Sequence, residues 1–223
     1  MTPWTLLDTA PVPGKDGALQ LYRRNHEFSI KLSGGGELMN SRVHGSEDAL
    51  AEQTCARLAD RAGARVLIGG LGMGFTLAAA LRQLGDQAQV RVAELVPGVI
   101  EWNRGELGAC AGHPLRDPRV SALDCDVARA LREAEQDYDA ILLDVDNGPE
   151  GLTRKENDWL YHMDGLGAAC AALRPQGVLA VWSAGPDADF TQRLRKAGFA
   201  VEEVRVAAHG RKGARHVIWL AST

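Results

Sequence analysis

The chain has 223 residues, 45% of them apolar and 24% charged, which is enough for one compact globular unit with a small appendage. Its formal net charge of −4 excludes the basic composition of a general nucleic-acid-binding protein. No apolar stretch approaches the ~18 residues of a membrane helix, so no membrane partner is expected. Cys55, Cys110, Cys125 and Cys170 show no C-x-x-C spacing, which indicates reduced thiols in a cytoplasmic protein.

Residues 1–45 are predicted to form a small N-terminal β flap. Ala18 to Arg24 and Glu27 to Leu32 flank the turn residues Asn25-His26 and indicate a hairpin, with a third short strand near Glu37 to Asn40. No strand is predicted before this hairpin, because proline and glycine interrupt the first residues. The edge strands of such a flap are the expected surface for a homodimer.

Residues 46–223 are predicted to form a single domain in which strands and helices alternate. Ser46 is the expected N-cap of a helix that reaches about Ala62. The last two strands lack an intervening helix, which predicts an antiparallel addition to a parallel sheet. The pattern indicates an α/β, doubly wound, mostly parallel seven-stranded sheet. The predicted strands are 66–68, 90–95, 119–123, 140–143, 178–182, 201–207 and 216–221, and the helices between them are 75–84, 97–107, 127–134, 159–173 and 189–197.

A glycine turn follows the first strand of this domain. The segment Val66 to Gly74 reads V-L-I-G-G-L-G-M-G, and Gly70, Gly72 and Gly74 allow the backbone to approach a ligand closely. It matches neither the dinucleotide fingerprint nor a P-loop. Twenty residues after Gly74, Glu94 ends the next strand, where a carboxylate accepts hydrogen bonds from both hydroxyls of a ribose. The combination predicts a nucleoside site.

Acidic residues also follow the third and fourth strands. Asp126 opens a helix, where it is expected to receive the exocyclic amine of adenine, to cap the helix, or to do both. Asp144 ends a buried strand and is expected beside the glycine turn, because ligands bind beyond the carboxyl ends of parallel strands. Asp146 and Asn147 follow it, either as substrate-binding residues or as turn residues only.

Together these residues resemble the spermidine synthase family of aminopropyltransferases, within the fold of the class I S-adenosylmethionine-dependent methyltransferases. The family's glycine motif, commonly V-L-x-I-G-G-G-D-G, matches Val66 to Gly74 in spacing. The resemblance places its ribose-binding acidic residue on Glu94, its adenine-binding aspartate on Asp126 and its catalytic aspartate on Asp144. The aspartate that reads the aminopropyl amine in that family is Met73 here.

The resemblance implies a transferase that binds S-adenosylmethionine or its decarboxylated form as co-substrate and passes an alkyl group, an aminopropyl group in this family, to a small amine. No metal is expected. Glu47, on the helix before the glycine turn, and Trp182, where the family often has glutamine at the end of the fifth strand, are expected on the acceptor side with Asp146 and Asn147.

Two alternatives remain open from the sequence. The stretch from Asp144 to Asn147 is similar to the D-x-D segment of metal-dependent catechol-type O-methyltransferases, although Trp182-Ser183 stands where that family has further ligands. More generally, the chain could methylate a small molecule. Met73 also fits a degenerate protein that binds the nucleoside without catalysis.

Overall fold

A small antiparallel sheet forms the N-terminal part of the molecule. The computed structural model describes residues 2–14, 16–58, 61–145, 158–209 and 212–223. Within these residues the first sheet has four strands in the order β1-β2-β3-β4, and each pairs with the next in the chain. The strands are β1 (Thr5–Pro11), β2 (Ala18–Arg24), β3 (Glu27–Leu32) and β4 (Glu37–Asn40).

The rest of the chain builds a second sheet, with seven strands among the described residues, in the order β10-β11-β9-β8-β5-β6-β7. The strands β5 to β9 run parallel, while β11 lies antiparallel to both β9 and β10. The doubly wound, mostly parallel sheet and its antiparallel end are therefore confirmed. The strands are β5 (Arg65–Gly69), β6 (Gln89–Glu94), β7 (Val120–Asp124), β8 (Tyr138–Leu143), β9 (Leu173–Ser183), β10 (Ala200–His209) and β11 (Lys212–Ser222).

Helices cover both faces of this sheet. Strand β8 is buried along its whole length, and its residues alternate between two hydrophobic clusters. Ala140 and Leu142 belong to one cluster, while Ile141 and Leu143 belong to the other, as the two-residue period of a strand requires. The helices are α1 (Gly45–Cys55), α2 (Phe75–Gln83), α3 (Pro97–Arg104), α4 (Val127–Arg132), α5 (Asp158–Tyr161), α6 (Met163–Ala172) and α7 (Ala188–Lys196), and short 3₁₀ turns lie at Ala56–Leu58, Leu107–Ala111 and Pro114–Arg116.

The structure corrects several predicted elements. The strand β1 was not predicted, although it pairs with β2 and makes the flap a four-stranded sheet. The predicted helix from Ser46 to Ala62 ends at Cys55 and continues only as a 3₁₀ turn. Ser46 is not its N-cap, because His44 holds that position and the Ser46 hydroxyl donates to a side chain instead.

Two predicted helices end differently from the sequence pattern. The helix predicted to reach Leu107 ends at Arg104, where Gly105 is the C-cap. The single helix predicted from Trp159 to Leu173 is divided into α5 and α6, because His162 adopts an extended conformation between them. No helix in the described parts of the chain is long and apolar enough to cross a membrane.

Candidate active site

A cavity of about 450 Å³ lies at the carboxyl ends of the parallel strands, beneath the flap. Its floor is the glycine turn and the ends of β6 and β8, and its roof includes Ile30 and Met39 from the flap strands. Five acidic side chains line it, and none of the described lining residues is arginine, lysine or histidine. A cavity with this lining favours cationic ligands. The acidic residues are Asp16, Glu47, Glu94, Asp126 and Asp144.

The glycine turn leaves little room for a side chain at two positions, and both have a positive φ that disfavours residues other than glycine. Gly70 has a φ of +88°, and a Cβ there would lie 2.3 Å from the carbonyl oxygen of Asp144. Gly72 has a φ of +52°, and its Cβ would lie 3.1 Å from the Sδ of Met39 in the flap. Gly74 precedes α2 at its N-cap. The turn therefore contacts both the segment after β8 and the roof of the cavity.

Glu94 is fixed by the backbone of the glycine turn and of its own loop. The N–H groups of Leu71 and Val96 donate to its two carboxylate oxygens, each at 2.9 Å. The side chain is 9% exposed and lies on the cavity wall. A carboxylate oxygen can accept more than one hydrogen bond, so this geometry is compatible with the expected ribose contact.

Asp126 caps α4, because its Oδ1 accepts a hydrogen bond from the N–H of Ala128 at 2.8 Å. The helix-capping interpretation is therefore confirmed. The side chain also lies on the cavity wall, which Glu94 and Val127 line as well. Its contact with adenine stays a prediction.

Asp144 lies directly beside the glycine turn, as expected. Its N–H donates to the carbonyl oxygen of Gly69 at 2.9 Å, and its Oδ2 accepts a hydrogen bond from the Thr76 hydroxyl at 2.5 Å. Burial, together with the smaller effect of the negative charge of Glu47, raises the pKa of this carboxyl to about 7, and the Thr76 hydrogen bond partly opposes the increase. Asp144 is therefore divided between its protonated and ionised forms near neutral pH.

Two further residues that were predicted to bind the acceptor line the cavity. Glu47 lies in the first turn of α1, where its Oε2 accepts a hydrogen bond from the Ser46 hydroxyl at 2.6 Å. Trp182, near the end of β9, lines the cavity and packs edge-to-face on His216, with ring centroids 4.8 Å apart. The indole N–H of Trp182 has no hydrogen-bond partner within the described residues.

Asp146 and Asn147, predicted as substrate-binding residues, lie outside the described residues. Met73, at the position of the family's aspartate, is buried and lines the cavity. Among the residues that the structure describes, no group of three or more His, Cys, Asp or Glu side chains is arranged to hold a metal ion.

Met39 and Thr76 also line the cavity, although neither was predicted from the sequence. The Sδ of Met39 packs over Gly72. This contact joins distant segments of the chain, so local sequence patterns do not predict it. Thr76 had a usable signal, since it is a hydroxyl residue in the first turn of the helix that follows the glycine turn. Such a residue lies near the carboxyl ends of the neighbouring strands.

No protein-family model matches the chain. Over 156 residues it is 28% identical to polyamine aminopropyltransferase 1 of Streptomyces coelicolor, a match that covers 63% of this chain and 27% of the relative. The chain thus matches about a quarter of the length of that curated relative.

Solved spermidine synthase structures superpose on nearly the whole chain. A spermidine synthase from Thermotoga maritima aligns with a TM-score of 0.76 and 18% identity, over 97% of this chain and 72% of its own. The chain has the spermidine synthase fold. A spermidine synthase in complex with the transition state analogue AdoDATO aligns with a TM-score of 0.74, 18% identity and the same coverage. A probable spermidine synthase from Corynebacterium glutamicum aligns with a TM-score of 0.63 at 15% identity, over 98% of this chain and 79% of its own. The resemblance that the motifs indicated is confirmed.

Proposed function

We propose that this chain is an aminopropyltransferase, which moves the aminopropyl group of decarboxylated S-adenosylmethionine to a small amine. One observation carries the proposal: the turn and the two carboxylates expected to bind a nucleoside share an anionic cavity with Asp144. A sulfonium with a cationic amine tail suits such a cavity better than the zwitterionic tail of S-adenosylmethionine. The spermidine synthase fold and the sequence similarity to a polyamine aminopropyltransferase support the same reaction.

In this proposal the nucleoside occupies the side of the cavity next to β6 and β7. Glu94 accepts the two ribose hydroxyls, and Asp126 receives the exocyclic amine of adenine. The backbone of Gly70, Gly72 and Gly74 lies against the sulfonium end of the co-substrate. Glu94, Asp126, Gly70 and Gly72 line the cavity, whereas Gly74, the N-cap of α2, is not among its lining residues.

The transfer step uses Asp144 as the general base. The acceptor ammonium first gives a proton to the Asp144 carboxylate, which frees the lone pair of its nitrogen. This nitrogen attacks the aminopropyl carbon bonded to the sulfonium sulfur, so a C–N bond forms and the C–S bond breaks. The electron pair stays on sulfur and methylthioadenosine leaves. A base with a pKa of about 7 is well matched to neutral pH, and Thr76 holds its carboxyl in place.

The acceptor is proposed to bind next to Asp144, Glu47 and Trp182, which line the cavity. Asp146 and Asn147, which lie outside the described residues, are also proposed to bind it. Residues 1–45 are proposed as the flap that covers this end, and residues 46–223 as the transferase domain. The four cysteines are free thiols, which supports a cytoplasmic location.

A homodimer through the exposed edge of β1 is also part of the proposal. Strand β1 is the first strand of its sheet, and Leu6 on it is 46% exposed. Light scattering during size-exclusion chromatography tests this directly. A monomer at micromolar concentration, unchanged by Leu6→Lys, would contradict the dimer.

The activity is tested by incubating the protein with 1,4-diaminobutane, 1,3-diaminopropane or butylamine and either form of the co-substrate. We expect methylthioadenosine from decarboxylated S-adenosylmethionine. Release of S-adenosylhomocysteine from S-adenosylmethionine would instead assign methyl transfer. Heat stabilisation by methylthioadenosine with no product from either co-substrate would assign a nucleoside-binding protein without catalysis.

The pH dependence of kcat/KM tests the role of Asp144. Only the ionised carboxyl accepts a proton, so the rate should increase as the pH rises through about 7, the value to which burial and the charge of Glu47 raise the pKa of Asp144. Because Glu47 interacts with this group, the midpoint belongs to the pair. A rate that is flat between pH 6 and 8 would contradict the assignment.

A further inference from the structure

Two polar residues lie behind Glu47, away from the cavity. The Ser46 hydroxyl donates to Glu47 Oε2 at 2.6 Å, and the Nδ1 of His216 lies 2.9 Å from the same hydroxyl oxygen. Ser46 is 1% exposed, and neither Ser46 nor His216 lines the cavity. Ser46 therefore acts on the site through the Glu47 carboxylate, and His216 acts on it through Ser46 and through its ring contact with Trp182, which lines the cavity.

The direction of the hydrogen bonds follows from the number of protons available. A serine hydroxyl has one proton, and here it is donated to the carboxylate of Glu47. The Ser46 oxygen can then only accept, so the Nδ1 of His216 carries a proton and donates it. Burial lowers the pKa of His216, which favours the neutral ring, and the charge of Glu47 opposes this effect. The chain of donors thus runs from His216 through Ser46 to Glu47.

Packing holds His216, the first donor of this hydrogen-bond network, in place. Trp182 stacks edge-to-face on the His216 ring at 4.8 Å between centroids. His216 belongs to β11, while Ser46 and Glu47 belong to α1, so the contact joins elements 170 positions apart in the sequence. Fixed donors in a network restrict a carboxylate to one orientation, which reduces the entropy lost when it binds a cation.

We infer that His216 and Ser46 are positioning residues that fix the Glu47 carboxylate for recognition of the acceptor's ammonium group. This inference rests on the proposed aminopropyl transfer. Glu47 and Asp144 line the same cavity, and no basic side chain among the described residues lines it to neutralise them. The substrate class is therefore a primary amine that binds as a cation, with Glu47 holding it and Asp144 taking its proton.

The test compares His216→Ala with His216→Asn, whose side-chain N–H replaces the Nδ1 donor. His216→Ala should raise the KM for 1,4-diaminobutane roughly ten-fold with little change in kcat. This is the loss expected when the hydrogen bond between the Glu47 carboxylate and the ammonium group of the substrate is weakened. His216→Asn should restore most of the KM. Arg215→Ala, an exposed neighbour on the same strand, is the matched control and should match wild type.

A second variant removes the middle residue of the hydrogen-bond network formed by His216, Ser46 and Glu47. Ser46→Ala should raise the same KM, and the double variant with His216→Ala should add little, because both remove one network. Calorimetric binding of 1,4-diaminobutane to the protein saturated with methylthioadenosine gives the same comparison without turnover, and thermal unfolding checks that each variant is folded.

The outcomes separate the two proposals. Wild type that neither binds the diamine nor releases methylthioadenosine overturns both the proposed function and the positioning role. Wild type that binds the diamine, with His216→Ala and Ser46→Ala binding it equally well, overturns the positioning role alone. A loss in His216→Ala that His216→Asn does not restore assigns His216 to packing and also overturns it.

Discussion

The two halves of the cavity are built in different ways. On the side proposed to bind the nucleoside, Glu94 and Asp126 accept hydrogen bonds from backbone N–H groups. On the side proposed to bind the acceptor, Asp144 and Glu47 accept hydrogen bonds from the hydroxyls of other side chains. The carboxylates of the first half are thus held by backbone groups, whereas those of the second half are held by neighbouring side chains.

This difference determines how each half responds to substitution. Backbone donors persist when a neighbouring side chain changes, so the nucleoside half fails only when its own carboxylates or glycines are replaced. The acceptor half depends on pairs of side chains, and each pair can be altered separately. Substitutions on the nucleoside side should therefore abolish binding, whereas those on the acceptor side should separate binding from catalysis.

The largest effect is expected for Gly72→Val. A β-branched side chain is strained at a φ of +52°, and its Cβ would lie 3.1 Å from the Sδ of Met39. Binding of methylthioadenosine should disappear in calorimetry. Gly167→Val is the matched control, since Gly167 lies exposed in α6 with no atom near its added Cβ. Wild-type affinity in Gly72→Val would reduce the glycine turn to a packing device.

Asp144→Asn should separate binding from catalysis. The amide cannot accept the ammonium proton, so the rate of methylthioadenosine release should fall by at least ~100-fold. The nucleoside affinity should change by less than about two-fold, because the amide keeps a similar size and polarity. Asp164→Asn, at an exposed position in α6, should leave both quantities unchanged. A loss of nucleoside binding equal to the loss of rate would place Asp144 on the nucleoside side.

Glu94→Ala should weaken nucleoside binding at least ~10-fold, because hydrogen bonds to a charged group are worth about 1.5–3 kcal/mol each. Glu94→Gln should lose less, since it keeps one acceptor oxygen for the turn. Calorimetry with methylthioadenosine measures both, and Glu101→Ala at an exposed site in α3 is the control. Equal affinity in all the proteins would remove Glu94 from the site.

Met73→Asp should give the smallest effect. It places the family's carboxylate at a buried position on the cavity wall. It should tighten decarboxylated S-adenosylmethionine relative to S-adenosylmethionine by about 1 kcal/mol, because the cost of burying the carboxylate offsets much of the attraction between the charges. Met73→Asn controls for the change in size. An unchanged ratio, together with a wild-type preference for S-adenosylmethionine, would favour methyl transfer.

The parallel sheet was predictable because its strands are short apolar runs separated by helical patterns. The convergence of the glycine turn, Glu94, Asp126 and Asp144 was also predictable, since the carboxyl ends of parallel strands meet at one edge. Local sequence patterns settle both features. The strand β1 was missed, because Pro11 at its end and the nearby glycines are typical of a loop, whereas pairing with β2 decides the structure.

The acceptor side could be predicted only in part. Glu47 and Trp182 do line the cavity. The contact of His216 with Ser46, and that of Met39 with Gly72, depend on how distant segments pack, and a single sequence carries no signal for such pairs.

The roof and rear of the acceptor side come from segments that lie outside the strand–turn–helix unit of the glycine turn. Met39 is on β4, Glu47 is on α1 and His216 is on β11. Point mutations in these three short segments should therefore change the specificity for the amine acceptor and leave the proposed nucleoside site unchanged. A mutagenesis library that randomises these segments and keeps the glycine turn would test new acceptors while retaining binding of the co-substrate.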